Sequence, residues 1–81
     1  MADWALILGA SSGFGEATSL ALAQGGWNIF GVHLDRRATL PNVQRIMHAI
    51  EALGRHAEFF NVNAADAEKR SEVLDRAAQV L

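Results

Sequence analysis

The sequence predicts an α/β fold: a partial parallel sheet with helices on both faces, in the order β-α-β-α-β-α. Short apolar segments alternate three times with segments of helical period, and a glycine-rich turn joins the first apolar segment to the first helix. Such alternation is typical of parallel sheets. Because crossovers between parallel strands are right-handed, we expect the strand order 3-2-1, with the first two helices on one face and the third on the other. A completed fold of this kind has three layers, α/β/α.

The predicted strands are short and mostly apolar, as in strands that are covered on both faces. They span residues 4–8, 28–34 and 56–62. The first helix, residues 16–24, has helix-forming composition and stops at Gly25. The second has Pro41 in its first turn, Thr39 or Asn42 as a candidate N-cap, and Gly54 at its end. Its inward face is predicted to hold Val43, Ile46, Met47, Ile50 and Leu53.

A third helix is predicted after Asp66, whose carboxylate suits an N-cap position. Its apolar residues recur at helical spacing, so one face should pack on the sheet. That face is predicted to include Val73, Ala77 and either Val80 or Leu81.

The glycine-rich turn predicts a cradle for a dinucleotide pyrophosphate, which makes the fold Rossmann-type. A strand that passes through glycines into a helix leaves the first helical N–H groups free to bind an anion. Gly9 permits a tight turn, Gly13 lets phosphate approach the backbone, and Gly15 lets the helix pack against the strand. The hydroxyls of Ser11 and Ser12 are candidate additional donors, and Phe14 completes the candidate site. The alternative is an ordinary glycine-rich loop without a ligand.

At these residues the chain resembles the short-chain dehydrogenase/reductase family. The resemblance rests on residues 8–15, on Glu16-Ala17-Thr18 opening the helix, on Gly26, and on Phe60-Asn61-Val62. It covers essentially the whole chain, which corresponds to about the first third of a family member. The chain departs from the family pattern at three positions. These are Leu8 in place of Thr, Phe14 in place of Ile or Leu, and Asn61 in place of Asp.

The resemblance implies an oxidoreductase that moves hydride between a nicotinamide cofactor and a carbonyl, alcohol or enoyl substrate. It also implies a Tyr-x-x-x-Lys pair as the acid-base group. The chain has no Tyr, and its one Lys is Lys69, so no catalytic residue is assigned. We expect the isolated chain to be inactive. Cysteine is absent, and His48 and His56 lack metal-ligand spacing, so no metal site is predicted.

The choice between NAD and NADP is predicted from the end of the second strand. An acid there selects NAD by binding ribose hydroxyls, and a nearby Arg accommodates the 2′-phosphate of NADP. The resemblance implies that the usual acid position falls on His33, whereas Asp35 follows two residues later, with Arg36 and Arg37 after it. We therefore predict a slight preference for NADP, with NAD as the alternative. A solvated loop with no role in binding is the other interpretation of these residues.

At the end of the third strand, the resemblance implies that Asn61 and Val62 contact the adenine ring. An amide can both donate and accept at the edge of that ring. An equally good interpretation is that Asn61 or Asn63 closes a turn before Asp66.

Composition limits the remaining function classes. The net charge of −2 argues against a nucleic-acid or anionic-membrane surface, and no signal peptide or membrane span is evident. We expect a cytoplasmic protein. We also expect residues 1–81 to be the N-terminal part of one domain that the rest of its polypeptide or another chain completes, because the first strand would otherwise keep an open edge. The family resemblance implies a homo-oligomer at full length. Alternatives are a non-catalytic nucleotide-binding or assembly module and an S-adenosylmethionine-dependent methyltransferase fragment.

Overall fold

The fold is described from a computed structural model that covers residues 3–35, 39–63 and 65–81. Six elements alternate along these residues. They are β1 (Trp4–Leu8), α1 (Gly13–Gln24), β2 (Asn28–His33), α2 (Leu40–Ala52), β3 (Ala57–Asn61) and α3 (Ala67–Val80). Each predicted element is present, and most bounds agree with the prediction to within a residue or two.

The three strands form one parallel sheet in which β2 lies between β1 and β3. Read from the other edge, this is the predicted order 3-2-1. Trp4 is paired with Asn28 at the start of β1, and His33 is paired with Asn61 at the end of β3. Because parallel strands run in one direction, the ends of β1, β2 and β3 bring the glycine-rich turn, His33 and Asn61 to the same edge of the sheet.

Two apolar cores cover the two faces of the sheet. On one face, Ile29 of β2 packs against Ala23 of α1 and against Ile46 and Ile50 of α2. On the other face, residues of β2 pack against α3, with Phe30, Val32, Val73 and Ala77 buried together. The alternation of Ile29 and Phe30 follows from the two-residue period of a strand. The predicted arrangement of the three helices is confirmed.

Local sequence explains where the helices begin and end. The Asp66 side chain accepts a hydrogen bond from Lys69 N and caps α3 as predicted. Gly54 follows α2 with a φ of 79°, a backbone conformation that L side chains rarely adopt, and thus stops the helix. Thr39 occupies the N-cap position of α2, but its side chain makes no capping hydrogen bond.

Two predictions are corrected, and one open alternative is decided. Helix α1 begins at Gly13, three residues before the predicted start, because Ser12 caps it. Leu53 was expected on the inward face of α2, but it is the C-cap residue and 42% exposed. For the inward face of α3 the sequence offered either Val80 or Leu81. Val80 packs against the core and confirms the prediction, whereas Leu81 lies after the helix and is exposed.

Strand β1 forms an edge of the described sheet, and its apolar residues are poorly covered. Leu6 and Leu8 are both exposed, and they line an apolar groove of about 280 Å³ with Val62, Val73 and other residues of the α3 face. Within the described residues, no helix combines the length and the apolar character needed to cross a membrane.

Candidate functional site

The glycine-rich turn is tied to the second strand by its own backbone. Gly9 N and Ala10 N both donate to Val32 O, at 2.8 and 3.1 Å, and Ala10 is fully buried. Gly9 has a φ of 70°, which turns the chain out of β1 at low cost because glycine has no Cβ. These hydrogen bonds therefore anchor the turn to β2. The residues that follow Ala10 lie near the ends of β1 and β2.

Ser12 organises the start of α1. Its hydroxyl donates to Gly9 O at 2.7 Å and accepts from Gly15 N at 3.1 Å. The same side chain thus closes the turn and caps the helix. Because this hydroxyl is used within the turn, it supports the site by shaping it. The sequence pattern suggested only that Ser12 could donate to a ligand.

Two glycines of the turn differ sharply in their surroundings. A Cβ built on Gly15 would lie 1.9 Å from Gly9 O, so the helix approaches the turn as closely as a glycine allows. A Cβ on Gly13 would meet nothing within 4 Å. The space beside Gly13 is open, which is the condition for a bulky anion to approach the main chain there.

Three backbone amides at this end of α1 are available to a ligand. Within the described ranges, no group accepts a hydrogen bond from the amides of Ser11, Gly13 or Phe14. They lie at the positive end of the α1 dipole, which favours an anion. The side chain of Phe14 is 91% exposed and leaves this end of the helix open.

Asp35 brings a carboxylate to the same turn. Its Oδ1 accepts a hydrogen bond from Ser11 Oγ and lies 3.0 Å from His33 Nδ1. The Ser11 hydroxyl is the main cause that holds the pKa of Asp35 below its ordinary value of 3.8, and bonds from Thr39 and His33 add to it against the opposing effect of burial. The site therefore contains a carboxylate that is ionised at neutral pH.

The side-chain amide of Asn61 makes two hydrogen bonds with the main chain of Asp35. Its Oδ1 accepts from Asp35 N at 2.8 Å and its Nδ2 donates to Asp35 O at 3.0 Å. The turn before Asp66 is formed by Asn63, whose main-chain and side-chain oxygens accept from Asp66 N and Ala65 N. Asn63 therefore makes the described hydrogen bonds of the turn before Asp66, whereas the side chain of Asn61 bonds to Asp35. Val62 is half-buried, and its N donates to His33 O.

The predicted site residues thus gather at one edge of the sheet, with one exception. Arg36 lies outside the described residues. Thr39, predicted only as a candidate helix cap, is one of the causes that lower the pKa of Asp35. No local pattern signals this effect, since it depends on how the chain returns from β2 to α2. Glu16 also has a partner, because Arg45 Nη2 of α2 donates to Glu16 Oε1 at 2.8 Å.

Other features of the described residues do not add to this site. A cavity of about 460 Å³ lies at the opposite ends of the strands, between Trp4, Arg55, His56 and their neighbours. Within the part of the chain that the structure describes, no group of His, Cys, Asp or Glu side chains could hold a metal ion.

The sequence of residues 3–81 matches the model of the short chain dehydrogenase family. The chain belongs to this family. Solved structures of short-chain dehydrogenase fold agree with that assignment. A carveol dehydrogenase from Mycobacterium avium in complex with NAD superposes with a TM-score of 0.81 at 22% identity, over 95% of this chain and 31% of that one.

Two further structures give similar values. An acetoin dehydrogenase from Enterobacter cloacae has a TM-score of 0.81 at 22% identity, over 99% of this chain and 31% of that one. An NAD⁺-bound xylitol dehydrogenase has a TM-score of 0.81 at 19% identity, over 95% of this chain and 28% of that one. This short-chain dehydrogenase chain thus spans about a third of the length of these structures. A search of curated proteins finds no significant match.

Proposed function

We propose that this chain is the N-terminal, cofactor-binding part of a nicotinamide-dependent short-chain dehydrogenase. The observation that carries the proposal is the set of free amides of Ser11, Gly13 and Phe14 at the N-terminus of α1. Linked phosphates carry negative charge and several acceptor oxygens, so they match free N–H donors at the positive end of a helix. The open space beside Gly13 gives a pyrophosphate room to reach them.

The remaining residues of the turn give this cradle its shape. Gly9 turns the chain, Gly15 allows α1 to begin directly against the turn, and the Ser12 hydroxyl links the two. The exposed ring of Phe14 offers an apolar surface to the part of the ligand that continues past the phosphates.

The adenosine half of the ligand is proposed to lie over the ends of β2 and β3. Asp35, placed by His33, would accept hydrogen bonds from the ribose hydroxyls, as acids at this place do in dinucleotide folds. Asn61 contributes through Asp35, because both ends of its amide are bonded to the Asp35 main chain. Val62 supplies apolar surface for the adenine ring. Arg36 stays a candidate ligand for a 2′-phosphate, predicted from the sequence.

Two of the similar structures support the proposal that the ligand is a nicotinamide dinucleotide. The carveol dehydrogenase is in complex with NAD, and the xylitol dehydrogenase is NAD⁺-bound. When bound, the dinucleotide supplies or accepts the hydride, and this chain's residues bind and orient it. The chain contains no Tyr, so we propose that the acid-base Tyr-x-x-x-Lys pair, the substrate site and the surfaces for oligomer formation belong to the remainder of a longer polypeptide. The isolated chain is then inactive.

One observation favours a second candidate, a non-catalytic module that completes the sheet of a partner. Strand β1 forms an edge of the described sheet, where its main chain is open to pairing with another strand, and the exposed side chains of Leu6 and Leu8 offer apolar surface beside it. A module of this kind does not need the free amides at the start of α1. Binding of a dinucleotide therefore distinguishes the leading proposal from this candidate.

The test is a titration of the full-length polypeptide that contains this chain with NADH, NADPH and S-adenosylmethionine. We expect binding of a dinucleotide and none of S-adenosylmethionine. Phe14→Pro removes one of the three free N–H donors at an early helical position that tolerates proline, so it should weaken dinucleotide binding. Ala17→Ser, at an exposed helical position, is the control. Binding of S-adenosylmethionine instead would favour a methyltransferase, and no binding at all would favour the module.

A further inference from the structure

The cavity of about 460 Å³ lies at the end of the sheet opposite to the glycine-rich turn, where the strands begin. Its lining includes Trp4 and Asn28 at the starts of β1 and β2, Arg55 and His56 just before β3, and Leu81 after α3. Cavities of this size bind small molecules in many proteins. The length of β1 separates this cavity from the turn by about 15 Å, so the two are different places on the molecule.

A buried side-chain amide in this cavity has an unused donor. Asn28 is 6% exposed, and its Oδ1 accepts a hydrogen bond from His56 N at 2.9 Å. Because a main-chain N–H only donates, this bond fixes which end of the amide is the oxygen. Among the described residues, no group accepts a hydrogen bond from Asn28 Nδ2.

The Nδ2 group of Asn28 is also in contact with the cavity. Within the described ranges, Ser19 Oγ is the one fully buried side-chain polar atom without a hydrogen-bond partner. Nδ2 is therefore not sealed in the protein, and Asn28 lines the cavity. An amide nitrogen in a mostly buried side chain is stabilised by an acceptor, so this place suits a ligand that accepts a hydrogen bond.

The guanidinium of Arg55 adds positive charge to the same lining. Its Nη1 donates to Gly26 O at 3.3 Å, which holds the side chain in place, and none of the ion pairs of the described residues includes it. A guanidinium has more N–H donors than this bond uses, and its forked shape matches a carboxylate. Asp3, the acid in the lining, is an exposed residue, so water screens its charge. The polar side of the cavity therefore favours a carboxylate.

Two aromatic rings lie beside these donors. The rings of Trp4 and His56 are nearly parallel, with 15° between their planes and 6.4 Å between their centroids. Trp4 is half-buried and packs against the core under α3, so its ring is held by its neighbours. Flat rings with fixed orientation favour a flat ligand, which stacks on them.

We propose that this cavity is a binding site for a small planar aromatic carboxylate. The carboxylate accepts hydrogen bonds from Asn28 Nδ2 and from the Arg55 guanidinium, and its aromatic ring lies against Trp4. This inference goes beyond the proposed function and does not depend on it, because no residue of the candidate dinucleotide site lines the cavity.

The experiment titrates benzoate into the full-length polypeptide that contains this chain, with and without saturating NADH, and follows the NMR signals of the ligand. Benzamide, which has no charge, and cyclohexanecarboxylate, which is not planar, are the matched ligands. Arg55→Gln removes the guanidinium charge. Asn28→Asp keeps an acceptor for His56 N but replaces the Nδ2 donor by an oxygen. Lys69→Gln removes a positive charge at the other end of α3 and is the control.

We expect benzoate to bind equally well with and without NADH, and more tightly than either matched ligand. Arg55→Gln and Asn28→Asp should each raise the dissociation constant by about tenfold or more, and Lys69→Gln should leave it unchanged. If Asn28→Asp does not fold, Arg55→Gln decides, because it changes no buried group of the core. Absence of benzoate binding, its displacement by NADH, equal binding of a matched ligand, or an unchanged dissociation constant in Arg55→Gln overturns this inference. The proposed function is tested separately by dinucleotide binding.

Discussion

Gly15 packs against Gly9 so closely that a Cβ on Gly15 would lie 1.9 Å from the Gly9 carbonyl oxygen and 2.7 Å from its carbon. These two glycines are joined further by Ser12, which donates to the oxygen of one and accepts from the nitrogen of the other. The first turn of α1 and the residues that follow β1 thus form one unit that packing and hydrogen bonds hold together. The free amides of the candidate site are carried by this unit.

Gly15→Ala is expected to destabilise the fold. The added methyl group has backbone atoms of Gly9 and Ala10 within 3 Å, and backbone cannot rotate away as a side chain can. We expect a loss of about 1–3 kcal/mol in the free energy of unfolding, the usual cost of overpacking, measured by urea denaturation. Ala17→Ser, at an exposed position of the same helix, should change it by less than about 0.5 kcal/mol. Equal stabilities of the two variants would contradict the close approach of α1 to the turn.

Gly13→Ala should separate stability from ligand binding. A Cβ there meets nothing within 4 Å, and the residue has an ordinary helical backbone, so the stability should stay the same or rise by up to about 1 kcal/mol. Under the proposed function, the methyl group occupies space that the pyrophosphate needs, so dinucleotide affinity should fall. Isothermal titration and urea denaturation of one preparation measure both effects. Unchanged affinity would show that phosphate does not approach at Gly13.

Ile50 of α2 and Leu53, its C-cap residue, should differ although the sequence pattern groups them together. Ile50 is fully buried, whereas Leu53 is 42% exposed at the end of the helix. Ile50→Ala should therefore cost about 2–5 kcal/mol, since it leaves a cavity in the core. Leu53→Ala should cost less, about 1–2 kcal/mol, because much of this side chain is already in contact with water. Chemical denaturation measures the free energy of unfolding of the two variants. A similar loss in both would mean that Leu53 faces inward, as the sequence predicted.

The sequence predicts the elements well because their signals are local. The two-residue alternation at Ile29 and Phe30 and the helical spacing of Val73 and Ala77 each depend on near neighbours. Whether Leu53 is buried or exposed depends on where α2 ends. Its spacing continues the apolar face, but Gly54 ends the helix one residue later and turns Leu53 outward.

The candidate site could be located from the sequence, but its internal bonds could not. The pattern of Gly9, Gly13 and Gly15 indicates a turn at the end of a strand. The hydrogen bond from Ser11 to Asp35 crosses 24 positions, and the bonds between Asn61 and Asp35 cross 26. Such contacts depend on the strand register, which brings three strand ends together. They show that polar groups first considered as ligand contacts are partly used within the protein.

The N-cap of α3 provides a test of a predicted local signal. Asp66→Ala removes the acceptor for Lys69 N and should lower the free energy of unfolding by about 0.5–2 kcal/mol. Asp75→Ala, at an exposed position within the same helix, is the matched control and should have little effect. Thermal unfolding monitored by circular dichroism measures both. Equal losses would mean that the carboxylate at Asp66 does not cap the helix.

The link between Ser11 and Asp35 should make stability depend on pH in a defined direction. The pKa of Asp35 is lowered in the folded state, chiefly by the Ser11 hydroxyl, from an ordinary value of 3.8. The ionised carboxylate therefore stabilises the fold fully at pH values above its unfolded pKa, and this contribution is lost as the pH falls through the lower folded pKa. Ser11→Ala removes the main cause. The difference in unfolding free energy between the original protein and Ser11→Ala should thus be constant from neutral pH down to about pH 5 and should shrink below about pH 4. Urea denaturation across this range measures it, with Asp35→Asn as the background in which Ser11→Ala should show no such pH dependence. A difference that grows in acid would mean that the hydroxyl bonds the neutral acid more strongly than the carboxylate.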